Sequence, residues 1–488
     1  MTTLSLRIAE SVASVRFEHL PAGAVEMTKR SLLDAVGVSL GASGLGEGVQ
    51  PFIDLAVESG GAPEATILGV GVKVPMLMAA LANGALAHAL DFEDAHDSAL
   101  VHPNAQIIPA LLAIAEARGP VTGTDFIAAL AVGCDLVCRL KLAARRDPAD
   151  LGWYTPALLG AIGAAAAAAK LMRATPEQVV DALSLALGPA ASSAEVKYSP
   201  RSQVRAVRDA FASHAGLLAA RLALSGVRGF DQPLEGKAGL YALYAGGGYD
   251  EEALMGNLGT HFAGEFVSFK AWPACRGTHS FIEMALTLRD RHHVRADDIA
   301  EMTMTGGPIQ RMLHEPREQR LRPRTAIDAK FSTPFTTALA LIRGGPRLAD
   351  YRPDALTDPA LLSLAARSRF EIAADRPGSA SWGRLEVRLN NGTTLTEEID
   401  NPLGHPSNPL SRNQLASKFL ECASYAQVPP SGDCLERTIN TVMTLEHSGD
   451  VGSALFAKDT LQTVAPPIHP VPASRARQAT APTTGESP

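Results

Sequence analysis

From Leu4 to about Gly41 apolar residues recur every three or four positions (Leu4, Ile8, Val12; Ala24, Met27, Leu32, Val36), a spacing that predicts two helices and the start of a bundle. EATILGV, Glu64 to Val70, is short, β-prone and bounded by Gly and Pro, so one strand or extended segment is expected there. Pro75, placed at the first helical position, opens a long apolar helix, MLMAALANGALAHAL, on which His88 and Asp91 are expected to share a face. Ile107–Ala117, Gly123–Ala143 and Pro156–Met172 follow, apolar almost all round, as befits helices inside a large bundle. Thr175 caps another helix, Asp181 to Ala190 reads as the next, and Val204 to Gly226 as one continuous helix after a polar loop.

The pattern changes near Ser268. IAEMTMTGG and SRFEIAADR read as strands, TAIDAKFSTPFTTALALIRGG opens into a helix, and WGRLEVRLNNGTTLTEEID reads as a hairpin around Asn391-Gly392. After Asn401 helical spacing returns in SRNQLASKFLECASYA and SGDCLERTINTVMTLE. The expected architecture is mostly α. A large all-α domain (1–268 with 405–465) carries an inserted, smaller α+β domain (269–404), and 466–488, rich in Pro, Ala, Thr and Arg without periodicity, reads as a disordered tail.

Composition sharpens this. Hydrophobic residues make 46% of the 488 and aromatics only 5%, so the core must be built from Ala, Leu, Val and Ile in closely packed helices. A formal charge of −7 gives no purchase on a phosphate backbone, which points away from nucleic acid and toward a small-molecule ligand. Five scattered cysteines do not form a disulfide framework, and Cys134 and Cys138 inside an apolar run read as buried thiols. The N-terminus lacks a signal-peptide layout, and ALLGAIGAAAAAAKLM is too short and too interrupted by Lys170 to span a bilayer. A cytoplasmic protein without membrane association is expected.

Two stretches concentrate chemistry. Asn83–Pro103 holds His88, Asp91, Glu93, Asp94, His96, Asp97 and His102, acids beside imidazoles at the end of a buried helix, which suits acid–base work; it also reads as a helix end with a polar loop. SFKAWPACRGTHS holds Lys270, Cys275, Arg276 and His279, cations fit for a carboxylate substrate. Arg205 and Arg208, near a helix start, are either solvated or turned toward an anion. No dinucleotide, P-loop, zincin or nucleophile-elbow motif is present. A metal site drawn from His88, Asp91, His96 and His102, and hence a metal-dependent hydrolase, is a competing reading, as is a carboxylate-binding protein without turnover.

ANGALAHALDFEDAH with HP at 102–103, KAWPACRGTH at 270–279, AKFSTPF at 329–335 and NPLSRNQLASKF at 408–419 together resemble the MmgE/PrpD family, which includes 2-methylcitrate dehydratases, cis-aconitate decarboxylases and an iminodisuccinate epimerase. The resemblance implies the two-part all-α domain, the inserted domain as a lid, a homodimer, no metal and no cofactor. It matches Asp91, His102 and Lys270 to the family's active-site positions. It also exposes departures from decarboxylase-like members: Ala95 stands where they carry a hydroxyl, Cys275 replaces a histidine, Tyr154 occupies a region with another histidine, and Arg205 stands for a lysine. The implied activity is a lyase of the 2-methylcitrate dehydratase kind on a small di- or tricarboxylate, with epimerisation of a substituted succinate and decarboxylation of cis-aconitate as alternatives. His102 is expected to move the proton at the α-carbon and Asp91 to orient or polarise it. Lys270 with Arg205 or Arg276 is expected to hold the carboxylate and enolate-like charge, His279 to protonate a leaving hydroxyl, and Cys275 and Tyr154 to line the substrate.

Overall fold

The computed structural model describes residues 3–199, 201–373, 376 and 381–456; the segment expected as a disordered tail lies outside them. The chain is mostly helical with a small sheet region. Helices α1 (Leu4–Ser14), α2 (Ala22–Leu45), α3 (Gln50–Glu58), α4 (Met76–Ala89), α5 (Ile107–Arg118), α6 (Gly123–Leu142), α7 (Thr155–Leu171), α8 (Pro176–Leu187), α9 (Val204–Val207) and α10 (Asp209–Leu224) build the first part. The helices Arg412–Ala423, Gly432–Met443 and Val451–Phe456 return to it, the first packing on α2. Their buried Ala, Leu, Val and Ile side chains form one cluster running from Leu4 to Phe456.

A second apolar cluster, from Ala274 to Val387, belongs to the sheet region. There β5 (Ile299–Gly306), β6 (Ser368–Ile372), β7 (Gly383–Leu389) and β8 (Thr394–Ile399) stand in the order β6-β5-β7-β8, with β5 and β6 parallel and the other pairs antiparallel. The β7–β8 hairpin turns at Gly392, whose φ of +86° suits a residue without Cβ. The helix His279–His292 packs on β7 and β8.

Several local expectations are corrected. The strand at 64–70 shrinks to β1 (Ala65–Thr66) against β2 (Lys73–Val74), because Gly69 and Gly71 at positive φ turn the chain between them. Pro75 is the cap before α4 rather than its first residue, and Thr175 caps a single helix through Leu187 instead of two. Val204–Gly226 breaks at Arg208 into α9 and α10. Most important, α4 stops at Ala89, so His88 and Asp91 do not share a helix face; Asp91 lies beyond the end at φ 48°.

Two devices bring the site together. A Cβ on Gly84 of α4 would lie 2.8 Å from the Asp209 carbonyl oxygen, so only glycine lets α4 approach the start of α10 and set His88 near Asp209. Further on, β3 (Ala95–His96) pairs antiparallel with β4 (Val267–Ser268), which brings the acid-and-imidazole stretch against the start of the Lys270 stretch. No helix of the described residues is long and apolar enough to cross a membrane.

Candidate active site

The C-terminal end of α4 is the anchor. Helix ends leave carbonyls without intrahelical partners and carry partial negative charge. Here three buried lysines from three remote segments donate to three consecutive carbonyls: Lys330 to Leu90 (2.7 Å), Lys270 to Asp91 (2.9 Å) and Lys418 to Phe92 (2.6 Å). Each belongs to one of the motifs singled out above, KAWPACRGTH, AKFSTPF and NPLSRNQLASKF. Lys418 also reaches the Lys270 carbonyl at 2.9 Å and the buried Asp34 carboxylate at 2.6 Å. Burial pulls the Lys330 ammonium down to about 8, against the attraction of Asp91 and Glu47.

Within this frame Asp91, held in the left-handed region that non-glycine residues rarely visit, directs its carboxylate to Lys270 Nζ at 2.7 Å. Both side chains are fully buried. Glu93, also buried, takes the central place: its Oε1 accepts from His88 Nδ1 and lies 2.9 Å from His102 Nδ1 and 4.0 Å from Lys270 Nζ. Burial pushes the Glu93 and Asp91 carboxyls up, but the neighbouring Lys270, His88 and His102 outweigh it, so both stay ionised, Glu93 well below the usual carboxylate range. Burial and the charge of Arg208 lower the His88 imidazole, against the pull of Glu93 and Asp209.

His102 is the one member of this group that reaches a cavity. The cavity, about 300 Å³, is lined by His102, Tyr154, Lys197, Arg205, Cys275, Arg276 and Phe331 among others. His102 Nδ1 faces two acceptors at 2.9 Å, the Asp94 carbonyl and Glu93 Oε1, so this nitrogen carries the hydrogen and, in the neutral ring, Nε2 is the one with the lone pair. Arg205 is stacked on Phe331 with its guanidinium carbon 3.4 Å from the ring centroid. The Tyr154 ring is approached by Lys197 at 5.2 Å and by the fully buried Arg208 at 4.7 Å. Burial lifts the Cys275 thiol to about 11, so it stays protonated and is a polar wall rather than a nucleophile.

The two predicted stretches therefore meet. His102, Tyr154, Arg205, Cys275 and Arg276 reach the cavity, while Asp91 and Lys270 lie buried beyond its walls. His279 does not line it: its Nε2 meets the Ala274 carbonyl at 3.2 Å, and burial with Arg276 beside it holds the imidazole well below its ordinary range. A neutral, enclosed ring has no path to a leaving hydroxyl in the cavity. The role expected of Asp91 also moves, because Glu93 and not Asp91 touches His102. Residue type and resemblance gave Glu93 no role of its own within the acid-and-imidazole stretch, and gave none to the lysines of the last two motifs. The readable signal was that Glu93 sits five residues after one histidine and nine before another, in a charged run set between two strongly apolar helical segments.

His88, Asp91, Glu93 and His102 each offer a donor atom within 4.8 Å of the others, a set that could hold a cation. Lys270, at 2.7 Å from Asp91 and 4.0 Å from Glu93, already supplies that positive charge.

Family models for the MmgE/PrpD N-terminal domain and the MmgE/PrpD C-terminal domain match residues 6–252 and 272–438. Cis-aconitate decarboxylase of Mus musculus is 27% identical over 462 residues, covering 91% of this chain and 90% of the relative. The cis-aconitate decarboxylase-like protein oryM of Aspergillus oryzae is 27% identical (91% and 95% covered), and cis-aconitate decarboxylase of Homo sapiens 26% (92% and 93%).

Proposed function

Because the chain belongs to the MmgE/PrpD family, we propose that it is a cofactor-independent lyase of the 2-methylcitrate dehydratase kind, acting on a small di- or tricarboxylate by proton transfer next to a carboxylate. His102 carries the proposal: of the two imidazoles lining the cavity, His96 already accepts from the Ala99 N–H at Nδ1, whereas His102 has its Nδ1 held between the Asp94 carbonyl and Glu93 Oε1, so that its neutral ring offers Nε2 to take a proton. Arg205 and Lys197 hold the substrate carboxylates, so that negative charge developing at the neighbouring carbon lies in a cationic site. His102 Nε2 removes the α-proton, the carbon–carbon double bond forms, and the carbon–oxygen bond to the hydroxyl breaks. The proton returns from Nε2 to the departing hydroxide, water leaves, and the base is restored. Glu93 stabilises the imidazolium in between, and Lys270, 4.0 Å away, helps keep Glu93 charged in a buried setting. The region 269–404 acts as the lid over this cavity, and the working form is a cytoplasmic homodimer.

A second reading, decarboxylation, is favoured by the relatives named cis-aconitate decarboxylase. Ala95 and Cys275, where decarboxylase-like members carry a hydroxyl and a histidine, weigh for dehydration instead. Proton NMR of purified protein with 2-methylcitrate, citrate, cis-aconitate and iminodisuccinate separates the readings: loss of water, loss of carbon dioxide, or solvent deuterium entering recovered substrate. A folded His102→Ala protein that turned over the true substrate at near wild-type rate would defeat the assignment.

A further inference from the structure

The charges around the cavity do not balance equally. Among the described residues, the ionisable Lys, Arg, Asp and Glu lining it are Lys141, Lys197, Arg205, Arg276, Asp97 and Asp147. Lys141 is neutralised by Asp147 at 3.0 Å. Arg276 is spent on the protein: Nε lies 3.2 Å from both Asp97 oxygens, a terminal nitrogen lies 3.2 Å from Asp97 Oδ2, and the Leu403 and Pro402 carbonyls take further donors at 3.1 and 3.3 Å. Asp97 is held in turn by Ser268 Oγ at 2.9 Å. The expectation that Arg276 binds a substrate carboxylate is thereby corrected, since its donors already have acceptors. Lys197 and Arg205 remain, each resting on an aromatic ring without a carboxylate partner among the described residues, where Arg205 Nε is buried with no acceptor.

We infer that the substrate carries two carboxylates, matched by Lys197 and Arg205, and that Asp97, by cancelling Arg276, excludes a third. This rests on the carboxylate-lyase reading for the identity of the ligand class, and within it narrows the di- or tricarboxylate to the former, setting 2-methylcitrate and cis-aconitate aside in favour of their two-carboxylate counterparts. Volume does not decide the matter, since about 300 Å³ admits either kind of molecule. Charge does: a third carboxylate would leave water for a wall with no uncompensated cation, and burying an unpaired charge is strongly unfavourable. Asp97→Asn keeps a hydrogen-bonding group toward Ser268 and Arg276 while exposing the arginine's charge, so it converts a two-cation cavity into a three-cation one.

The test compares ligands that differ by one carboxyl group: 2-methylmalate with citrate, and 2,3-dimethylmalate with 2-methylcitrate. Calorimetric Kd values on the wild-type protein are expected to favour the dicarboxylate of each pair by about tenfold or more, and Asp97→Asn to reduce or invert that ratio by a similar factor. Should the variant not fold, the wild-type ratio decides alone. Wild-type protein binding the tricarboxylate as tightly as its partner, binding neither, or a folded Asp97→Asn that leaves the ratio unchanged would overturn the inference. Turnover is read separately by NMR. Selective binding with no alkene or carbon dioxide formed from any of the four would defeat the lyase reading and leave the charge inference standing; dehydration of a tricarboxylate at equal or better kcat/KM would do the reverse.

Discussion

Replacing Lys270 by Met removes the cation shared by two buried carboxylates. At an effective dielectric of about 20, the attraction is about 6 kcal/mol to Asp91 at 2.7 Å and about 4 kcal/mol to Glu93 at 4.0 Å. Most of this repays the cost of taking the ions out of water, so the net loss is expected at about 3–5 kcal/mol at pH 7, the usual consequence of orphaning a buried charge. The pH dependence supplies a second signature. In the wild type both carboxyls are depressed, so their contribution is present above the unfolded carboxylate range and is lost as pH falls through the folded values. Without Lys270, burial dominates at Asp91 and raises it; the native state then binds the proton more tightly, and stability rises as pH falls from 7 toward 5. Urea unfolding at several pH values measures both effects. The double variant Lys270→Met/Asp91→Asn removes the charge along with its partner and should recover at least half of the loss. A single variant within about 1 kcal/mol of wild type, or a double variant no better than the single, would refute this electrostatic account.

Glu93→Gln keeps an acceptor for His102 but removes its charge; kcat/KM on the true substrate should fall about 10²-fold with the fold intact, and the limb of the pH–rate profile assigned to the base should move. An unchanged profile would mean that Glu93 is only a scaffold. Burial, reinforced by Asp34 and resisted by hydrogen bonds from Asn104 and Ser31, lifts the Asp94 carboxyl to about 6. A raised folded value means stability declines as pH climbs from about 4 through 6, so Asp94→Asn should lose that slope and be more stable at pH 8 by up to about 3 kcal/mol. Parallel stability curves for the two proteins between pH 4 and 8 would contradict it.

The helices were legible because Ala-rich segments with a 3.6-residue stripe have few other ways to bury themselves, and the hairpin because Asn391-Gly392 is a turn whose backbone demands it. What escaped was decided by tertiary contact. Nothing local ends α4 at Ala89; the stop is held by lysines 179 to 326 residues away, and only then does Asp91 leave the helical path. Arg208 lies inside a good helical pattern, and its break follows the fit of α10 against α4 and α7. At the site, His102, Arg205 and Lys270 could be picked out from residue type and resemblance. The division of labour between Asp91 and Glu93 could not, because it depends on which carboxylate oxygen ends up beside which ring.

The three-lysine frame around residues 90–92 also sets an order of events during synthesis. Every cavity-lining group has been made once Phe331 has been added, yet Lys418, which bonds both the Phe92 and Lys270 carbonyls and neutralises Asp34, arrives some ninety residues later. Until it emerges from the ribosome, a nascent chain holds a nearly complete catalytic cavity whose two halves lack their shared clasp and whose Asp34 has no counter-charge in the core. A ribosome stalled before residue 412 should display a helical but inactive body, and the missing ninety residues become a built-in delay between assembling the chemistry and switching it on.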